Sequence, residues 1–376
     1  MNNGWKEYCL EDLLSYEQPT PYIVESTEYS DAFETPVLTA GASFILGYTD
    51  EAEGIYDQIP VIIFDDFTTA SKYVNFPFKV KSSAMKILSA NKELVLPKFI
   101  YYRMQTIKFE HSTHKRYWIQ QYSKIKVKIP SLKEQKRIVN KIEELFSELD
   151  SAVETLKKTK EQLAVYRQSV LKDAFAQFSH KEKIKDLSEF VTSGSRGWAQ
   201  YYSDDGARFI RITDLTRDRI VLKNDDIQYV TLPDNVEGMR SRLKPNDILV
   251  SITADLGSIA LIPKDIQEAY INQHIALVRL SNPEVAKFTA LYLKSDWGQK
   301  DLLKNKRGGG KMGLGLDDIR NTPIPVVSTD IANKIVSQIE SRLSACENIE
   351  KTVNDALIQA DAMRQSILKK AFEGGL

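Results

Sequence analysis

Two stretches of the chain show the hydrophobic pattern of coiled-coil helices. Apolar residues recur at alternating steps of four and three from Ile138, and the pattern returns from Ile335. Such a heptad pattern is typical of helices that pack along one seam. The predicted seam contains Ile138, Ile142, Leu145, Leu149, Leu156 and Leu163 in the first stretch and Ile335, Ile339, Ile349, Val353, Met363 and Ile367 in the second. Neither stretch contains Gly or Pro, so each helix is expected to run for about 40–45 residues, roughly 60–66 Å.

The two helical stretches are copies of each other. Arg167–Phe175 (RQSVLKDAF) reappears 197 residues later as Arg364–Phe372 (RQSILKKAF), and 14 of 39 positions are identical between 137–175 and 334–372. An Ile-Pro step precedes each copy. A repeat of this period indicates a duplicated domain. Because a lone apolar stripe leaves its seam in water, we expect an antiparallel intramolecular coiled coil. Two separate surface helices, or pairing with another chain, are the alternatives.

The remaining two blocks contain short β-rich runs between turn residues. They match weakly in order: Val61–Thr68 resembles Ile248–Asp255, and Pro97–Tyr102 resembles Ala286–Tyr292, with a helix predicted in each of the latter. We therefore predict a mixed α/β fold with a pseudo-two-fold internal repeat, in which two globular domains are joined by the two long helices. The predicted divisions are 1–130, 131–178, 179–325 and 326–376.

Charge is balanced overall but segregated locally. The chain has 51 basic and 51 acidic side chains, which excludes a globally basic arm. Residues 1–66 hold one basic and fourteen acidic side chains, whereas 67–128 hold thirteen basic and two acidic ones. A second basic cluster surrounds Gly308–Gly310. These clusters predict positive faces suited to a phosphate backbone, although a single charged run is more often only a solvated surface.

Several classes of protein are disfavoured by what the sequence lacks. Two cysteines exclude a disulfide framework and fit a reducing compartment. No apolar run or signal pattern indicates a membrane segment, so a cytoplasmic protein is expected. The Gly308–Gly310 run lacks the spacing of a phosphate-binding loop, Asn282-Pro283-Glu284 is not an amino-methyltransferase motif, and His111 and His114 have no further ligand nearby. We predict no catalytic site and no metal site.

The arrangement of two variable blocks and two related helices, each ending in Arg-Gln-Ser-Val/Ile-Leu-Lys-x-Ala-Phe, resembles the specificity subunit of Type I restriction-modification enzymes. The stretches 37–41, 64–70 and 81–85 also resemble first target-recognition domains of that family, and the turns 192–195 and 256–258 resemble those of second domains. The resemblance implies that each domain reads half of a split double-stranded DNA target, with the coiled coil setting the gap. It also implies two methyltransferase subunits using S-adenosylmethionine and two translocase/nuclease subunits using ATP and Mg, with no cofactor in this chain.

Polar residues in the loops of both blocks are the candidate DNA contacts. In the first block they are Thr39, Gly41, Thr68, Thr69, Lys72, Lys81, Ser82, Ser83, Lys115 and Arg116. In the second they are Ser193, Ser195, Arg196, Arg211, Asp255, Ser258, Gln273, His274, Arg307 and Lys311. Arg196 or Arg211 matches the edge of guanine and Gln273 that of adenine, while lysines match phosphate. A coiled-coil adaptor that binds protein or RNA is the alternative function, and a nuclease with an unrecognised site is a third.

Overall fold

The chain forms two compact units in a computed structural model that describes residues 4–41, 43–110, 116–233, 239–304, 306, 313–373 and 375. The first unit consists of residues 1–156 with 355–376, and the second of residues 157–354. Two long helices, α3 (Leu132–Phe175) and α8 (Thr329–Glu373), contribute to both. Within the described residues, no helix combines the length and apolar character needed to cross a membrane.

The first unit contains short strands and two short helices besides its share of the long helices. The strands are β1 (Lys6–Cys9), β2 (Leu14–Glu17), β3 (Thr35–Leu38), β4 (Ile45–Thr49), β5 (Val61–Asp65), β6 (Ser71–Val74), β7 (Lys79–Val80), β8 (Met85–Ala90) and β9 (Lys126–Ile129), and the helices are α1 (Leu10–Leu13) and α2 (Pro97–Met104). They form sheets of order β2-β8-β5-β6, β4-β3-β7 and β1-β9. Only the β3–β7 pair is parallel among these ladders.

Among the described residues, the second unit repeats this topology with one additional strand and two additional short helices. Its strands are β10 (Lys181–Lys183), β11 (Ser188–Ser193), β12 (Tyr202–Ser203), β13 (Ala207–Ile210), β14 (Tyr229–Val230), β15 (Ile248–Ser251), β16 (Ile259–Leu261), β17 (Ala269–Ile271), β18 (Ile275–Leu280) and β19 (Pro323–Pro325). Its short helices are α4 (Ile184–Leu187), α5 (Ala286–Lys294), α6 (Asp296–Leu302) and α7 (Leu316–Arg320). The sheet orders are β11-β18-β15-β16, β12-β14-β13-β17 and β10-β19, and β13 pairs with β17 in parallel. The matched runs of the two blocks, β5 and β15, therefore hold equivalent places, as do α2 and α5.

Each unit docks its short helix on the long helices through equivalent aromatic contacts. The Phe99 ring of α2 lies 5.3 Å from the Phe372 ring of α8, at an interplanar angle of 75°. The Phe288 ring of α5 lies 5.2 Å from the Phe175 ring of α3, at 71°. Edge-to-face pairs of this kind are favourable beyond the area that they bury. The last residue of the repeated nine-residue motif thus anchors a β-rich domain in both units.

Within the second unit the long helices run antiparallel. The Lys160 ammonium donates a hydrogen bond to the Asn354 side chain (3.0 Å), and the Arg167 guanidinium donates to the Glu350 carboxylate (2.7 Å). As residue numbers rise along α3, those of their partners fall along α8. The predicted packing of the two helices is therefore present.

Along each long helix, the positions of the seam are separated alternately by four and by three residues. Residues with little exposure recur at Ile142, Phe146, Leu149, Val153 and Leu156 in α3 and at Ile339, Leu343, Cys346, Glu350 and Val353 in α8. Among the predicted seam residues, Ile138, Ile142, Leu149, Ile335, Ile339 and Val353 are buried, and Leu145, Leu156, Leu163 and Ile367 are half-buried. Ile349 and Met363 are 47% and 55% exposed. They lie three residues after a buried position, whereas the seam uses the residue four after it.

A buried ion pair crosslinks the second domain. Asp247 is 1% exposed and receives two hydrogen bonds from Arg279, from Nε at 2.7 Å and Nη2 at 2.6 Å. The Lys244 amide donates to the same carboxylate at 2.7 Å, and the guanidinium lies 4.6 Å from the centre of the Phe190 ring. These contacts join strand β18 to the turn before β15. A bidentate pair of this kind leaves a costly unpaired charge when one partner is removed.

We expect Arg279→Met to lower the free energy of unfolding by about 3–5 kcal/mol, because Asp247 then stays buried without its partner. Arg242→Met is the matched control, since Arg242 pairs with Glu268 at 3.9 Å with a side chain that is 60% exposed. Exposed pairs contribute about 0–1 kcal/mol. Chemical denaturation of both variants measures the difference, and equal losses would contradict the assigned role of the pair.

Candidate nucleic-acid interface

In the first unit, three loops meet around the buried carboxylate of Asp66. Its backbone amide donates to the Ala84 carbonyl at 2.9 Å, and its own carbonyl accepts from the Tyr117 amide at 2.8 Å. Its Oδ1 accepts from the Trp118 amide at 2.7 Å. These bonds tie the β5–β6 loop to the β7–β8 turn and to the segment that starts at Arg116. Candidate contacts far apart in sequence, Thr68, Thr69, Ser82, Ser83 and Arg116, are therefore brought to neighbouring loops.

Lys86 balances the charge of Asp66 inside the domain. Both side chains are 1% exposed, and the ammonium lies 3.3 Å from Oδ2, an ion pair without hydrogen-bond geometry. The ammonium also donates to the Gln18 side chain at 3.0 Å. Lys86 therefore supports the loops from within and is not available to a phosphate group. The Asp65-Asp66 pair acts as a loop organiser, since Oδ1 of Asp65 accepts from the Phe67 and Thr68 amides.

The other first-domain candidates lie on strands and loops beside these. The Lys81 amide donates to the Leu38 carbonyl at 3.0 Å, which places Lys81 next to the loop that contains Thr39 and Gly41. Its ammonium lies 3.2 Å from the Tyr29 hydroxyl. Lys72 sits on the edge strand β6, opposite Ile63. Lys115 lies outside the described residues.

In the second unit, a polar cleft of about 710 Å³ collects four predicted residues. Ser193, Ser195, Arg196 and Gln273 line it. Ser193 ends strand β11, and Ser195 forms a parallel bridge to Asn272 just after β17. The two segments meet because the chain passes the sheet without a side chain at Gly194. A Cβ at that glycine would lie 1.8 Å from the Ile271 carbonyl oxygen.

A chain of polar contacts orients Gln273 at the cleft. Its Nε2 lies 2.9 Å from Nε2 of His274, whose Nδ1 lies 2.8 Å from the Thr253 hydroxyl. The His274 amide also donates to the Asn272 side chain at 3.1 Å. His274 thus lies behind Gln273 and connects it to the β15–β16 loop.

The cleft also contains residues that the sequence reasoning missed. Arg240 lines it, and its Nε donates to the Thr192 hydroxyl at 3.1 Å. Trp198, Gln200 and Tyr201 form another part of the wall, with the buried Trp198 ring stacked 5.6 Å from that of Phe209. Arg240 belongs to an alternating basic stretch with Arg242 and Lys244, just before strand β15. This short cluster of three basic residues is the sequence signal for Arg240, although the sequence does not show that it lies beside Thr192.

Three second-domain candidates are engaged in the protein's own loops. Arg211 donates to Asp226 and lies 3.3 Å from Asp214, and together these partners raise its pKa against the opposing effect of burial. The Ser258 hydroxyl donates to the Asp255 carboxylate at 3.0 Å, and Asp255 also pairs with Arg217. Arg307 and Lys311 lie outside the described residues. No group of three or more potential metal ligands occurs within the described part of the chain.

We expect Gly194→Ala to disturb the cleft, because the new methyl group would collide with the Ile271 backbone. Overpacking of this kind costs about 1–3 kcal/mol, and it would also displace Ser193 and Ser195. Gly313→Ala is the control, since its nearest heavy atom would be the Ile252 carbonyl oxygen at 3.5 Å. Thermal unfolding compares the two variants, and an unchanged Tm for Gly194→Ala would contradict the close approach.

Two β-rich domains of one topology, each docked on long antiparallel helices and each carrying its own polar loops, define a duplicated recognition scaffold. The family model for the Type I restriction modification DNA specificity domain matches residues 2–164 and 181–359, so the chain belongs to this family and is a DNA specificity subunit of a Type I restriction-modification system. A specificity subunit is the non-catalytic member of such systems. This assignment favours DNA recognition over the adaptor and nuclease alternatives.

Individual relatives agree with the family. The specificity subunit of the Type I restriction enzyme EcoR124I/EcoR124II of Escherichia coli is 29% identical over 373 residues, which cover 95% of this chain and 90% of that protein. The EcoBI specificity subunit of Escherichia coli is 28% identical over 279 residues, which cover 66% of this chain and 58% of that protein.

Two solved structures share the fold. One, described as the structural basis of complex assembly and conformational transition of the type I R-M system, has a TM-score of 0.74 at 16% identity and covers 100% of this chain and 99% of its own. The HsdS subunit of Thermoanaerobacter tengcongensis has a TM-score of 0.51 at 16% identity, covering 100% and 98%. The predicted mixed α/β fold with two β-rich domains and paired long helices is confirmed.

Proposed function

We propose that the two β-rich domains read separate halves of one bipartite DNA target. The observation that carries this proposal is that the domains share a topology but present different loop residues. A duplicated fold with identical loops would read the same sequence twice. Different side chains in the loops of the two domains provide two different sets of base contacts. The proposed recognition domains are residues 1–130 and 179–325, with 131–178 and 326–376 as the helical parts.

The proposed base contacts in the second domain are the cleft residues Arg196, Arg240 and Gln273. An arginine matches O6 and N7 of guanine with two donors, and a glutamine matches N6 and N7 of adenine. The Thr192 hydroxyl holds Nε of Arg240, so that the guanidinium is oriented before DNA binds. Ser193 and Ser195 contribute hydroxyl groups beside them. Arg307 and Lys311 remain proposed contacts from the sequence alone.

In the first domain, the loops tied to Asp66 and the neighbouring loop after β3 form the proposed DNA surface. Thr68, Thr69, Ser82 and Ser83 supply hydroxyl groups, and Lys81, Lys115 and Arg116 supply positive charge for phosphate. Thr39, Gly41 and Lys72 complete the set. Arg211, Asp255 and Ser258 of the second domain act through loop geometry in this proposal, because their side chains bind one another or nearby residues.

We also propose that the helices fix the gap between the half-sites and bind the catalytic subunits. Each unit leaves an apolar side chain exposed on its helices beside the seam. Tyr166 and Ile349 are each 47% exposed in the second unit, directly before the hydrogen-bonded Arg167 and Glu350. Met363, which corresponds to Tyr166 in the repeat, is 55% exposed in the first unit. Two copies of such a flank fit two methyltransferase subunits.

The chemistry of the complex is proposed to lie in these partners. Methylation of adenine would use S-adenosylmethionine in the two methyltransferase subunits. Cleavage and translocation would use ATP and Mg in two restriction subunits. This chain would supply the DNA sequence preference and the framework on which the subunits assemble.

Methylation-sensitive sequencing of cellular DNA, with the chain present and deleted, tests the proposed function directly. A split adenine-methylated motif that disappears on deletion is the expected outcome. No change in a host with confirmed methyltransferase expression would contradict it.

In the same assay, Arg240→Ala should relax the motif at one position of one half-site and leave the other half unchanged. The loss of discrimination at that position should be about 1–3 kcal/mol. Uniform weakening across both halves would contradict the base contact.

Lengthening both helices tests the spacing role. We expect seven residues inserted after Leu156 and after Asn354 to keep the heptad register and to add about 10 Å to the rod. At about 3.4 Å per base pair, the gap between the half-sites should grow by roughly three base pairs while their sequences stay the same. Selection from DNA with randomised spacer lengths gives the answer. An unchanged gap, in a variant that still methylates, would contradict the proposal.

A further inference from the structure

The two units contain equivalent grooves at the place where the short helix meets the long ones. The groove of the first unit has a volume of about 490 Å³ and that of the second about 310 Å³. Glu143 and Phe146 line the first, and Glu340 and Leu343, their counterparts 197 residues later, line the second. The internal repeat therefore includes a surface groove that both units share.

The opposite wall of each groove also corresponds. Arg364 and Leu368 of α8 line the groove in the first unit, while Arg167 and Leu171 of α3 line it in the second. The two arginines are the first residue, and the two leucines the fifth residue, of the repeated nine-residue motif. Both grooves thus combine an arginine and a leucine from one long helix with an acidic and an apolar residue from the other.

In the second unit, a loop of the β-rich domain forms an extra wall. Residues 218–221 line the groove there. Arg219 donates to Glu350 at 2.8 Å and lies 3.4 Å from Glu347, and Asp218 lies 3.7 Å from Arg167. The Ile220 carbonyl accepts from the Leu261 amide at 2.8 Å, which fastens the loop to strand β16.

Lys294, at the end of α5, closes this arrangement. Its ammonium donates to the Arg217 carbonyl, and the side chain is enclosed so that burial lowers its pKa to about 8. The corresponding position in the first unit is Gln105, whose side chain donates to the Ser71 hydroxyl at 2.8 Å. Gln105 thus hydrogen-bonds to strand β6, whereas Lys294 hydrogen-bonds to the residue that precedes the 218–221 loop segment.

The first unit has no counterpart of this loop among its described residues. Strands β3 and β4 are joined by residues 39–44, whereas β13 and β14 are separated by residues 211–228. Every described residue that lines the first groove belongs to α2, to Gln105 after it, or to the long helices. Asp150, which corresponds to Glu347, has a side chain that is 62% exposed and pairs with Arg364. The Phe146 ring lies beneath this arginine, 4.3 Å from its guanidinium carbon.

We propose that the groove of the first unit binds a segment of a partner protein with the chemistry that residues 218–221 supply in the second unit. The segment would carry an acidic and a basic residue side by side, followed by two β-branched residues, as in Asp218-Arg219-Ile220-Val221. Its acid would face Arg364 and its base Asp150, while the apolar pair covers Phe146 and Leu368. The inference rests on the proposed function only in taking this partner to be a subunit of the same complex.

The consequence is that the two halves of the scaffold bind partners unequally. In the second groove the chain's own loop already occupies the position of this segment and pairs with the charged side chains, whereas the described lining of the first groove leaves that position to an external segment. Two identical subunits on a duplicated scaffold would otherwise be expected to make the same contacts twice. The groove provides one chemical difference between the two sides.

A tethering experiment on the full chain tests the proposal. Ser147 lines the groove, whereas the adjacent Glu148 is exposed and does not. Ser147→Cys and Glu148→Cys are made in a Cys9→Ser background. Each is mixed with activated-disulfide peptides of the sequence Thr-Arg-Asp-Arg-Ile-Val, which copies residues 216–221, with the reactive cysteine at either end. Each rate is divided by the rate of the same variant with a small activated disulfide. We expect this normalised rate to be at least about tenfold higher for Ser147→Cys than for Glu148→Cys.

Peptide and protein controls separate groove binding from simple thiol reactivity. A peptide of the same composition in scrambled order should lose the preference. Arg364→Gln in the Ser147→Cys chain should reduce the rate, because it removes the partner of the peptide's acid. Equal normalised rates for the two cysteine variants, or no effect of scrambling, would overturn the inference. If this happens while the wild-type chain still directs methylation of a split motif, the proposed function stands; absence of that motif would count against the proposed function alone.

Discussion

The ion pair between Arg167 of α3 and Glu350 of α8 constrains how the two long helices pack in the second unit. Arg167 is only 8% exposed within the seam, and its charge is balanced by Glu350 of the opposite helix at 2.7 Å. Burial acts to raise the pKa of Glu350, but Arg167 and Arg219 stabilise the carboxylate and lower it. A buried charge without its partner costs several kcal/mol, so a shift of one helix along the other is penalised. Since the second β-rich domain is anchored on Phe175, this register also sets where that domain docks within its own unit.

Charged residues at seam positions explain which part of the helix packing was predictable. The heptad pattern identified both helices and the buried positions Ile142 and Ile339, because those positions are apolar. Each heptad has two seam positions, and the second lies four residues after the first. In several heptads this second position is a charged residue, namely Lys160, Arg167, Glu350 or Arg364. A pattern based on apolar residues passes over charged ones and selects their neighbours instead. Ile349 and Met363 were assigned to the seam for this reason.

Folding also changes the meaning of the charge segregation in the first domain. Four of its basic residues, Lys79, Lys86, Lys124 and Lys126, pair with Glu51, Asp66, Glu11 and Glu7 from the acidic half. The segregation along the chain therefore serves partly to join the two halves of the domain.

The candidate site was predictable where loop polarity coincides with a glycine turn, as at Ser193 and Ser195. It was not predictable for Arg240, which depends on a long-range contact with Thr192.

The division between constant and variable parts follows from where the physical constraints lie. Contacts that recur in both units involve the long helices: Phe99 with Phe372 and Phe288 with Phe175, and Lys98 with Glu143 and Lys287 with Glu340. Contacts that differ involve the connections between strands, such as residues 39–44 and 211–228. Changes in those connections leave the aromatic docking contacts intact, because Phe99, Phe372, Phe288 and Phe175 lie outside them. A duplicated chain can therefore diverge in what its two domains recognise while keeping one scaffold, and the loop that walls the second groove shows that such divergence also reaches the surface next to the helices.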